Sequence, residues 1–327
     1  MANLEAYEEI KRWKDEEMKN HCSDIRELNR FHDRIMKHVF QAAVSCLHQN
    51  EPPCSFSWLI TGSGGRFEQG LISDQDHGIV YQDDSEEHRA YFLRLGQELS
   101  RGLDYVGYPY CKGNIMSSNP MWCRPLKQWK EQLHSWMKEG SWESMRYLHI
   151  FLDSRCLAGE EELCRELKEY VFRYRSEHPH LARRFAENVM HIKKAINPLG
   201  QLLTSQVNGR TQSFDLKYAA FLPYVNAVRI LALHEGLFET STVDRMGKLL
   251  EKDAHKEVMV DAKADFQRLL EIRMASVAGK EYEDSHFVKL RLLDSMEKKE
   301  IKRIVKGGHK LHEYAIQYVK KVDSYGI

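Results

Sequence analysis

Two aspartates, Asp74 and Asp76, stand one residue apart at the start of the apolar run "DHGIVYQ". In an extended strand, residues i and i+2 share a face, so the sequence predicts that the two carboxylates project together. Neighbouring carboxylates repel each other unless a cation lies between them. Carboxylate oxygens are the ligands that hard divalent cations prefer. The pair therefore predicts a metal site for Mg²⁺, with Mn²⁺ as the alternative.

A glycine-rich turn, Gly62-Ser63-Gly64-Gly65, follows the apolar segment 57–61, which we expect to be a strand. Glycine admits a positive φ and places no Cβ over the turn, so successive backbone N–H groups can point at an anion. A glycine cluster alone is weak support, because most are ordinary turns. Beside two carboxylates, the turn predicts that Gly62, Ser63 and Gly64 bind phosphate.

Two charged residues follow the glycines. Arg66 and Glu68 lie where we expect the first turn of a helix. The guanidinium of Arg66 can bind phosphate oxygens there in bidentate fashion. Arg66, and Glu68 beside it, are therefore assigned to nucleotide binding. The alternative is an ordinary ion pair between Arg66 and Glu68 or another acid on the same helix.

A third carboxylate, Asp153, ends the apolar segment "LHIFLDSR", which we predict to be a third strand. On a strand beside the aspartate pair, Asp153 would hold a second metal ion or take the proton of an acceptor hydroxyl. We therefore assign Asp74, Asp76 and Asp153 together to metal binding and catalysis. The alternative for Asp153 is a strand-end cap or an ion pair with Arg155.

Other polar residues give a weaker signal. Lys112 and Asn114 lie in the loop "YPYCKGNIMSSNP", which either closes over the nucleotide or is an ordinary surface loop. Asp215 and Lys217, in "FDLKY", either face the substrate cleft, where Lys217 would bind the nucleotide, or cap and solvate a helix start. His77 projects to the strand face opposite the aspartates, so we expect it to pack rather than to catalyse.

The first 50 residues favour helix. From Ile25 onward, apolar residues recur at a spacing of three and four, which predicts an amphipathic helix with Ser23 or Asp24 as its N-cap. Two prolines then break the pattern in the segment 50–55, which is predicted to be a linker.

The rest of the chain changes character near residue 160. Strand and helix patterns alternate over residues 51–160, which implies an α/β unit. Residues 161–327 favour helix without a convincing strand, and Gly236 is predicted to be a helix C-cap. The sequence thus predicts an N-terminal helical segment, an α/β domain and an all-helical domain.

Residues 62–78 contain three motifs in order: Gly-Ser, Arg-x-Glu-Gln and Ser-Asp-Gln-Asp-x-Gly. This pattern resembles the signature of the DNA-polymerase-β-type nucleotidyltransferase superfamily. More specifically, it is similar to bacterial signal-transduction nucleotidyltransferases related to the N-terminal part of protein-PII uridylyltransferase. The resemblance continues at 111–136, 151–159 and 214–236, and it covers the chain from about residue 20 nearly to its end.

The resemblance implies a polymerase-β-like domain of α+β or α/β class with a short mixed sheet, preceded by helices and followed by a helical domain on the acceptor side of the cleft. It also implies that the glycine turn and the Asp-x-Asp pair form the catalytic core. The expected reaction transfers a nucleoside monophosphate from an NTP to an acceptor hydroxyl and releases pyrophosphate, by a two-metal mechanism. The acceptor is not readable from the sequence; a regulatory protein is one candidate.

Two other classes of function share these motifs. One is a module that binds a Mg²⁺–nucleotide complex and signals without transfer. The other is a nucleotidyltransferase acting on nucleic-acid ends. The chain has 48 basic residues (lysine plus arginine) and 48 acidic residues (aspartate plus glutamate), and its pI is near 7.3. This neutral overall charge counts against the second class and against binding of duplex nucleic acid.

The bulk sequence also predicts the environment of the protein. No apolar run approaches the roughly 20 residues of a membrane helix, so we expect no membrane partner. The seven cysteines form no C-x-x-C pair, and we expect them to be reduced thiols in the cytoplasm.

Overall fold

The computed structural model describes residues 2–21, 24–47, 51–204, 213–275 and 282–325. The chain divides into two compact units, Met1–Arg173 and Tyr174–Ile327. Ser23, one of the two predicted N-caps, lies outside the described residues.

The N-terminal unit combines helices with one small sheet. Its helices are α1 (Ala2–Glu17), α2 (Ile25–Ser45), α3 (Gly62–Gly65), α4 (Glu86–Val106), α5 (Leu126–Glu139), α6 (Trp142–Leu152) and α7 (Glu161–Glu177, which ends beyond the unit). Its strands are β1 (Phe56–Ile60), β2 (His77–Tyr81), β3 (Cys123–Pro125) and β4 (Arg155–Gly159).

Within the described residues, these strands form a sheet in the order β3-β2-β1-β4. Strand β1 pairs antiparallel with β2, from Phe56 opposite Tyr81 to Ile60 opposite His77. It also pairs antiparallel with β4, whereas β2 and β3 are parallel. The predicted α+β class with a short mixed sheet is therefore confirmed.

Helix α2 packs its apolar stripe into the core of this unit. Leu28, Phe31, Ile35 and Val39 are fully buried. Asp24 caps the helix, as predicted, because its side chain accepts hydrogen bonds from the backbone N–H groups of the first turn.

The predicted third strand is wrong in its first part. The segment before Asp153 is helix α6, and the strand β4 begins only at Arg155. Met145, Leu148 and Leu152 are buried at helical spacing, and Ser141 caps the helix by accepting a hydrogen bond from the N–H of Ser144. A short apolar run does not distinguish a buried strand from a buried helix.

The C-terminal unit is mainly helical. Its helices are α8 (His180–Asn188), a π-helix (Lys217–Phe221), α9 (Leu222–Glu235), α10 (Thr242–Leu250), α11 (Asp253–Ala275), two short 3₁₀-helices (Tyr282–His286 and Leu290–Leu292) and α12 (Ser295–Tyr325). Gly236 ends α9 with φ +69°, which confirms the predicted C-cap.

The expectation that no strand follows residue 160 is wrong. Two short strands, β5 (Ser213–Asp215) and β6 (Phe287–Lys289), pair antiparallel within the described part of the C-terminal unit. Each has three residues, which is too short for an alternating pattern to stand out in the sequence.

Among the described residues, none of the helices has both the length and the apolar character that crossing a bilayer requires.

Two histidines, His32 and His77, are buried in the N-terminal unit. His32 lies between the Tyr108 hydroxyl (2.7 Å) and the Gly70 carbonyl (3.0 Å), and His77 lies 2.9 Å from the Gln75 side-chain oxygen. Burial lowers the pKa of His32 to about 4 and that of His77 to about 3. Both imidazoles are therefore neutral in the folded unit near neutral pH.

We expect the free energy of unfolding of this unit to fall as the pH drops from about 6.5 toward 4. The unfolded chain takes up protons at the ordinary histidine pKa of about 6.5, whereas the folded unit does not, so protonation favours unfolding. All six tryptophans, at positions 13, 58, 122, 129, 136 and 142, belong to this unit. Tryptophan fluorescence during urea unfolding therefore reports on it selectively.

The His32→Asn variant should lose part of this pH dependence, because asparagine does not take up a proton. The matched control is His38→Asn on the exposed side of the same helix, which should keep it. A wild-type unfolding midpoint that is equal at pH 7 and pH 5 would contradict the interpretation.

Candidate functional site

Asp74 and Asp76 lie just before strand β2, which begins at His77, and not within the strand as predicted. Gln75 between them pairs with Tyr110 in an isolated parallel bridge, and its N–H donates to the carbonyl of Pro109. This extended pairing makes successive side chains point in opposite directions, as was predicted for a strand.

The side chain of Gln75 anchors the segment in the core. It is fully buried, its amide NH₂ donates to the carbonyls of Ser100 (3.0 Å) and Tyr108 (2.9 Å), and its oxygen lies 2.9 Å from a ring nitrogen of His77. Because neighbours in an extended segment point in opposite directions, Asp74 and Asp76 are both turned away from that core. Both are half-buried.

Cys111 joins the two aspartates. One donor atom each from Asp74, Asp76 and Cys111 lies within 4.8 Å of the other two, a spacing at which they could share a metal ion. Burial raises the pKa of the Cys111 thiol to about 12, with further contributions from the charge of Asp76 and a hydrogen bond to it. Cys111 was not predicted from sequence, although it lies in the same loop as the predicted residues Lys112 and Asn114.

Gly62 lies directly against Asp76. A Cβ on Gly62 would come 2.1 Å from Oδ2 of Asp76, and Gly62 has φ +58°. The N–H of Thr61 donates to the carbonyl of Asp76 at 2.9 Å. The end of β1 and the start of β2 thus hold the glycine segment and the aspartate pair together, and a residue with a Cβ does not fit at position 62.

The glycines form the one-turn helix α3 rather than the open turn that the sequence predicted. The carbonyl of Gly64 accepts hydrogen bonds from Nε (3.2 Å) and Nη2 (3.0 Å) of Arg155, whose guanidinium also binds Asp33 at 2.6 Å. Arg155 thus binds Asp33 and α3, and not Asp153. On the same short helix, the hydroxyl of Ser63 lies 3.4 Å from that of Ser73.

Arg66, Glu68 and Asp153 form a separate buried cluster. Nε of Arg66 donates to Glu68 at 2.6 Å, and Nη1 donates to Asp153 at 2.7 Å. Burial alone would lower the pKa of the Arg66 guanidinium, but the charges of Glu68 and Asp153 outweigh it and raise this pKa. Arg66 is 8% exposed, Glu68 1% and Asp153 0%.

The structure therefore divides the predicted catalytic residues between two places. Within the described residues, the donor group around the aspartate pair contains Cys111 and not Asp153. The two clusters nevertheless border the same glycine helix: a Cβ on Gly65 would lie 2.0 Å from the backbone oxygen of Asp153.

The remaining predicted residues fall in two regions. Lys112 and Asn114 are exposed in the loop that carries Cys111, and Asn114 has φ +55° in a turn closed by its N–H and the Cys111 carbonyl. Lys217 lies in the C-terminal unit, with Nζ 3.2 Å from His286 and 3.4 Å from the Tyr282 hydroxyl. Asp215 accepts a hydrogen bond from the N–H of Tyr218 at 3.0 Å, as a cap does.

Two protein families match this chain. The family described as "Putative nucleotidyltransferase DUF294" matches residues 16–143. The family described as "Putative nucleotidyltransferase substrate binding domain" matches residues 179–318. The chain belongs to this nucleotidyltransferase family and carries its C-terminal substrate-binding domain, which confirms the resemblance seen in the sequence. A search of curated proteins gave no match.

We expect the Gly62→Ala variant to displace Asp76 and to weaken Mn²⁺ binding by on the order of tenfold or more, because metal sites tolerate only small displacements of their ligands. The matched control is Gly236→Ala. Gly236 also has a positive φ (+69°), but a Cβ there meets nothing within 4 Å. Calorimetric titration with Mn²⁺ measures the difference, and equal affinities for the two variants would contradict the proposed contact.

We expect the Arg66→Met variant to destabilise the N-terminal unit by about 3–5 kcal/mol, because it removes the guanidinium that both buried carboxylates contact. Urea unfolding followed by tryptophan fluorescence measures this loss. Arg89→Met, which breaks an exposed pair with Asp84, is the control and should change the unfolding midpoint little. An unchanged midpoint for Arg66→Met would mean that Arg66 is not needed to hold the cluster together.

Proposed function

We propose that this protein transfers a nucleoside monophosphate from an NTP to an acceptor hydroxyl and releases pyrophosphate. The observation that carries the proposal is the group formed by Asp74, Asp76 and Cys111, pressed against Gly62 in a domain of a nucleotidyltransferase family. Membership of the family supports nucleotidyl transfer, whereas the substrate and the mechanism are our proposal.

The donor set fits divalent cations. Two carboxylates within reach of each other suit Mg²⁺ or Mn²⁺, and the thiol of Cys111 adds a donor that suits Mn²⁺ and softer ions better than Mg²⁺. Divalent ions bound there would neutralise the triphosphate and align the attacking oxygen with the α-phosphorus.

Backbone and loop residues would position the nucleotide. The N–H groups at the start of a helix have no partner within it, so those of Gly62, Ser63 and Gly64 can face phosphate oxygens without a Cβ in the way at the glycines. Lys112 and Asn114 would approach from the exposed loop beside Cys111. Lys217, in the C-terminal unit, is the remaining residue that we propose for nucleotide binding.

The proposed roles of Arg66 and Asp153 both involve the bond between them. Nη1 of Arg66 lies 2.7 Å from Oδ2 of Asp153, so Arg66 contacts the carboxylate that would take the acceptor proton or a second metal ion. If Arg66 turns to the phosphates when NTP binds, Asp153 loses this contact at the same moment. Without that exchange, Asp153 and Glu68 serve to hold α3 in place through Arg66 and Gly65.

The burial of Asp153 favours one alternative function. A domain with two carboxylates and no available third one could bind a Mg²⁺–nucleotide complex and signal without transfer. This second candidate predicts nucleotide binding that depends on Asp74 and Asp76 but produces no pyrophosphate. The resemblance to protein-PII uridylyltransferase suggests a regulatory protein as the acceptor if transfer does occur.

Transfer is tested with NTPs labelled at the α-phosphate, one base at a time, incubated with Mg²⁺ or Mn²⁺, the purified protein and an extract of its own cells. We expect label on an acceptor with the wild-type chain. Asp74→Asn and Asp76→Asn should reduce labelling by at least about a thousandfold, because each removes a charge that holds the metal at the reacting phosphate. Asp84→Asn, at the far end of β2, is the control and should label normally.

The outcomes separate the candidates. Labelling that survives both asparagine variants would exclude the assignment of the aspartates. Nucleotide binding that requires Asp74 and Asp76, without any transferred label, would favour the signalling module. Digestion of the labelled product with protease or with nuclease then identifies the class of acceptor.

A further inference from the structure

We infer that Cys54, Asp83 and His88 form a binding site for one borderline transition-metal ion of the Zn²⁺ class, separate from the candidate nucleotidyltransferase site. One donor atom of each residue lies within 4.8 Å of the other two. The proposed nucleotidyl transfer uses none of these three residues.

The pairing of β1 and β2 brings Cys54 and Asp83 together. The register places Phe56 opposite Tyr81, and the N–H of Gln82 donates to the carbonyl of Ser55 at 2.9 Å. If this register is continued beyond the paired strands, Cys54 comes opposite Asp83, in agreement with the closeness of their donor atoms. Opposed residues of an antiparallel pair have their Cβ atoms about 4.5–5.5 Å apart, so a thiol and a carboxylate there can share an ion. The ladder has the aspartate pair of the candidate site at its other end.

The start of α4 supplies the third donor. Ser85 caps the helix by accepting a hydrogen bond from the N–H of His88 at 3.1 Å, which sets the position of His88 in the first turn. Nδ1 of His88 lies 3.3 Å from the backbone oxygen of Asp83. A metal-binding histidine commonly donates one ring N–H to a backbone carbonyl, which orients the ring and leaves the other nitrogen for the metal.

The neighbouring carboxylate does not compete for this position. Asp84 accepts hydrogen bonds from Arg89 at 2.6 Å and from Gln128 at 3.1 Å. The turn between β2 and α4 therefore uses its two aspartates differently: Asp84 ties the turn to α4 and α5, and Asp83 faces Cys54 and His88.

The donor types determine the class of ion. Thiolate, imidazole and carboxylate together are ligands of Zn²⁺ and not of Mg²⁺ or Ca²⁺, which prefer oxygen alone. In a tetrahedral Zn²⁺ site, bond lengths of about 2.0–2.3 Å put the donor atoms roughly 3.3–3.8 Å apart. A spacing of up to 4.8 Å therefore requires donor movements of about 1 Å at most. Three protein donors leave a fourth position for water or another ligand.

A metal ion here would tie the segment before β1 to the turn after β2. It would bind the folded chain and not the unfolded one, and so would stabilise the N-terminal unit in proportion to the free metal concentration. We therefore expect Zn²⁺ to raise the melting temperature of this unit even when the nucleotidyltransferase site is disabled.

The experiment uses the full-length chain with Asp74→Asn, Asp76→Asn and Cys111→Ser, so that the other donor group cannot bind the metal. Competition with a chromophoric chelator measures Zn²⁺ affinity and stoichiometry, and Co²⁺ absorption reports on a thiolate ligand. We expect one Zn²⁺ per chain and a thiolate-to-cobalt charge-transfer band. Cys54→Ser in the same background should abolish the band and weaken Zn²⁺ binding at least about tenfold.

Two controls make the result specific. Cys156→Ser removes another half-buried thiol of the same sheet, and Asp84→Asn removes the neighbouring carboxylate; both should bind Zn²⁺ as the background does. His88→Gln and Asp83→Asn should each weaken binding. If the background chain is unstable, the Cys54→Ser chain should bind one Zn²⁺ fewer than the wild-type chain. Equal Zn²⁺ affinity with and without Cys54, or no stoichiometric binding at micromolar Zn²⁺, would overturn the proposal.

Discussion

The close approach of Gly62 to Asp76 is the contact on which the candidate site depends. The backbone of Thr61 binds the backbone of Asp76, and the space beside Oδ2 of Asp76 leaves no room for a Cβ at position 62. This contact places the first glycine of α3 beside a carboxylate, and the proposed function assigns phosphate binding to the one and metal binding to the other. It follows directly from the antiparallel pairing of β1 with β2, because Ile60 and His77 form the last pair of that ladder.

A second constraint is the buried charge around Arg66. Burying two carboxylates and a guanidinium costs several kcal/mol of desolvation per ion, which their mutual attraction offsets only when the geometry is good. Here Arg66 forms close hydrogen bonds with Glu68 and Asp153. The cluster adjoins α3 at Gly65, whereas Asp76 adjoins it at Gly62. A conformational change that opened it would need a phosphate or another anion to replace Asp153 as the partner of Arg66.

Much of the fold and part of the site could be predicted from sequence. Features that depend on neighbouring residues were predicted correctly, because residue types and their spacing indicate them. They are the apolar stripe of α2, its Asp24 cap, the strands β1 and β2 and the Gly236 C-cap. The helix α6 could not be distinguished from a strand, because its apolar run was short and its period ambiguous. The short strands β5 and β6 depend on a partner more than 70 residues away in the sequence.

By itself, the sequence determined the family, the mixed class of the N-terminal domain and the pairing of Asp74 with Asp76, because spacing along an extended segment sets which side chains lie together. Tertiary structure alone decided that Cys111 completes this group, that Asp153 binds Arg66, and that Cys54, Asp83 and His88 converge. Most of these contacts join residues that lie 29 to 87 positions apart in the sequence. The exception is the pair of Asp83 and His88, which is brought together by the turn before α4. Proximity of this kind arises from packing and strand register, which no local pattern of residues encodes.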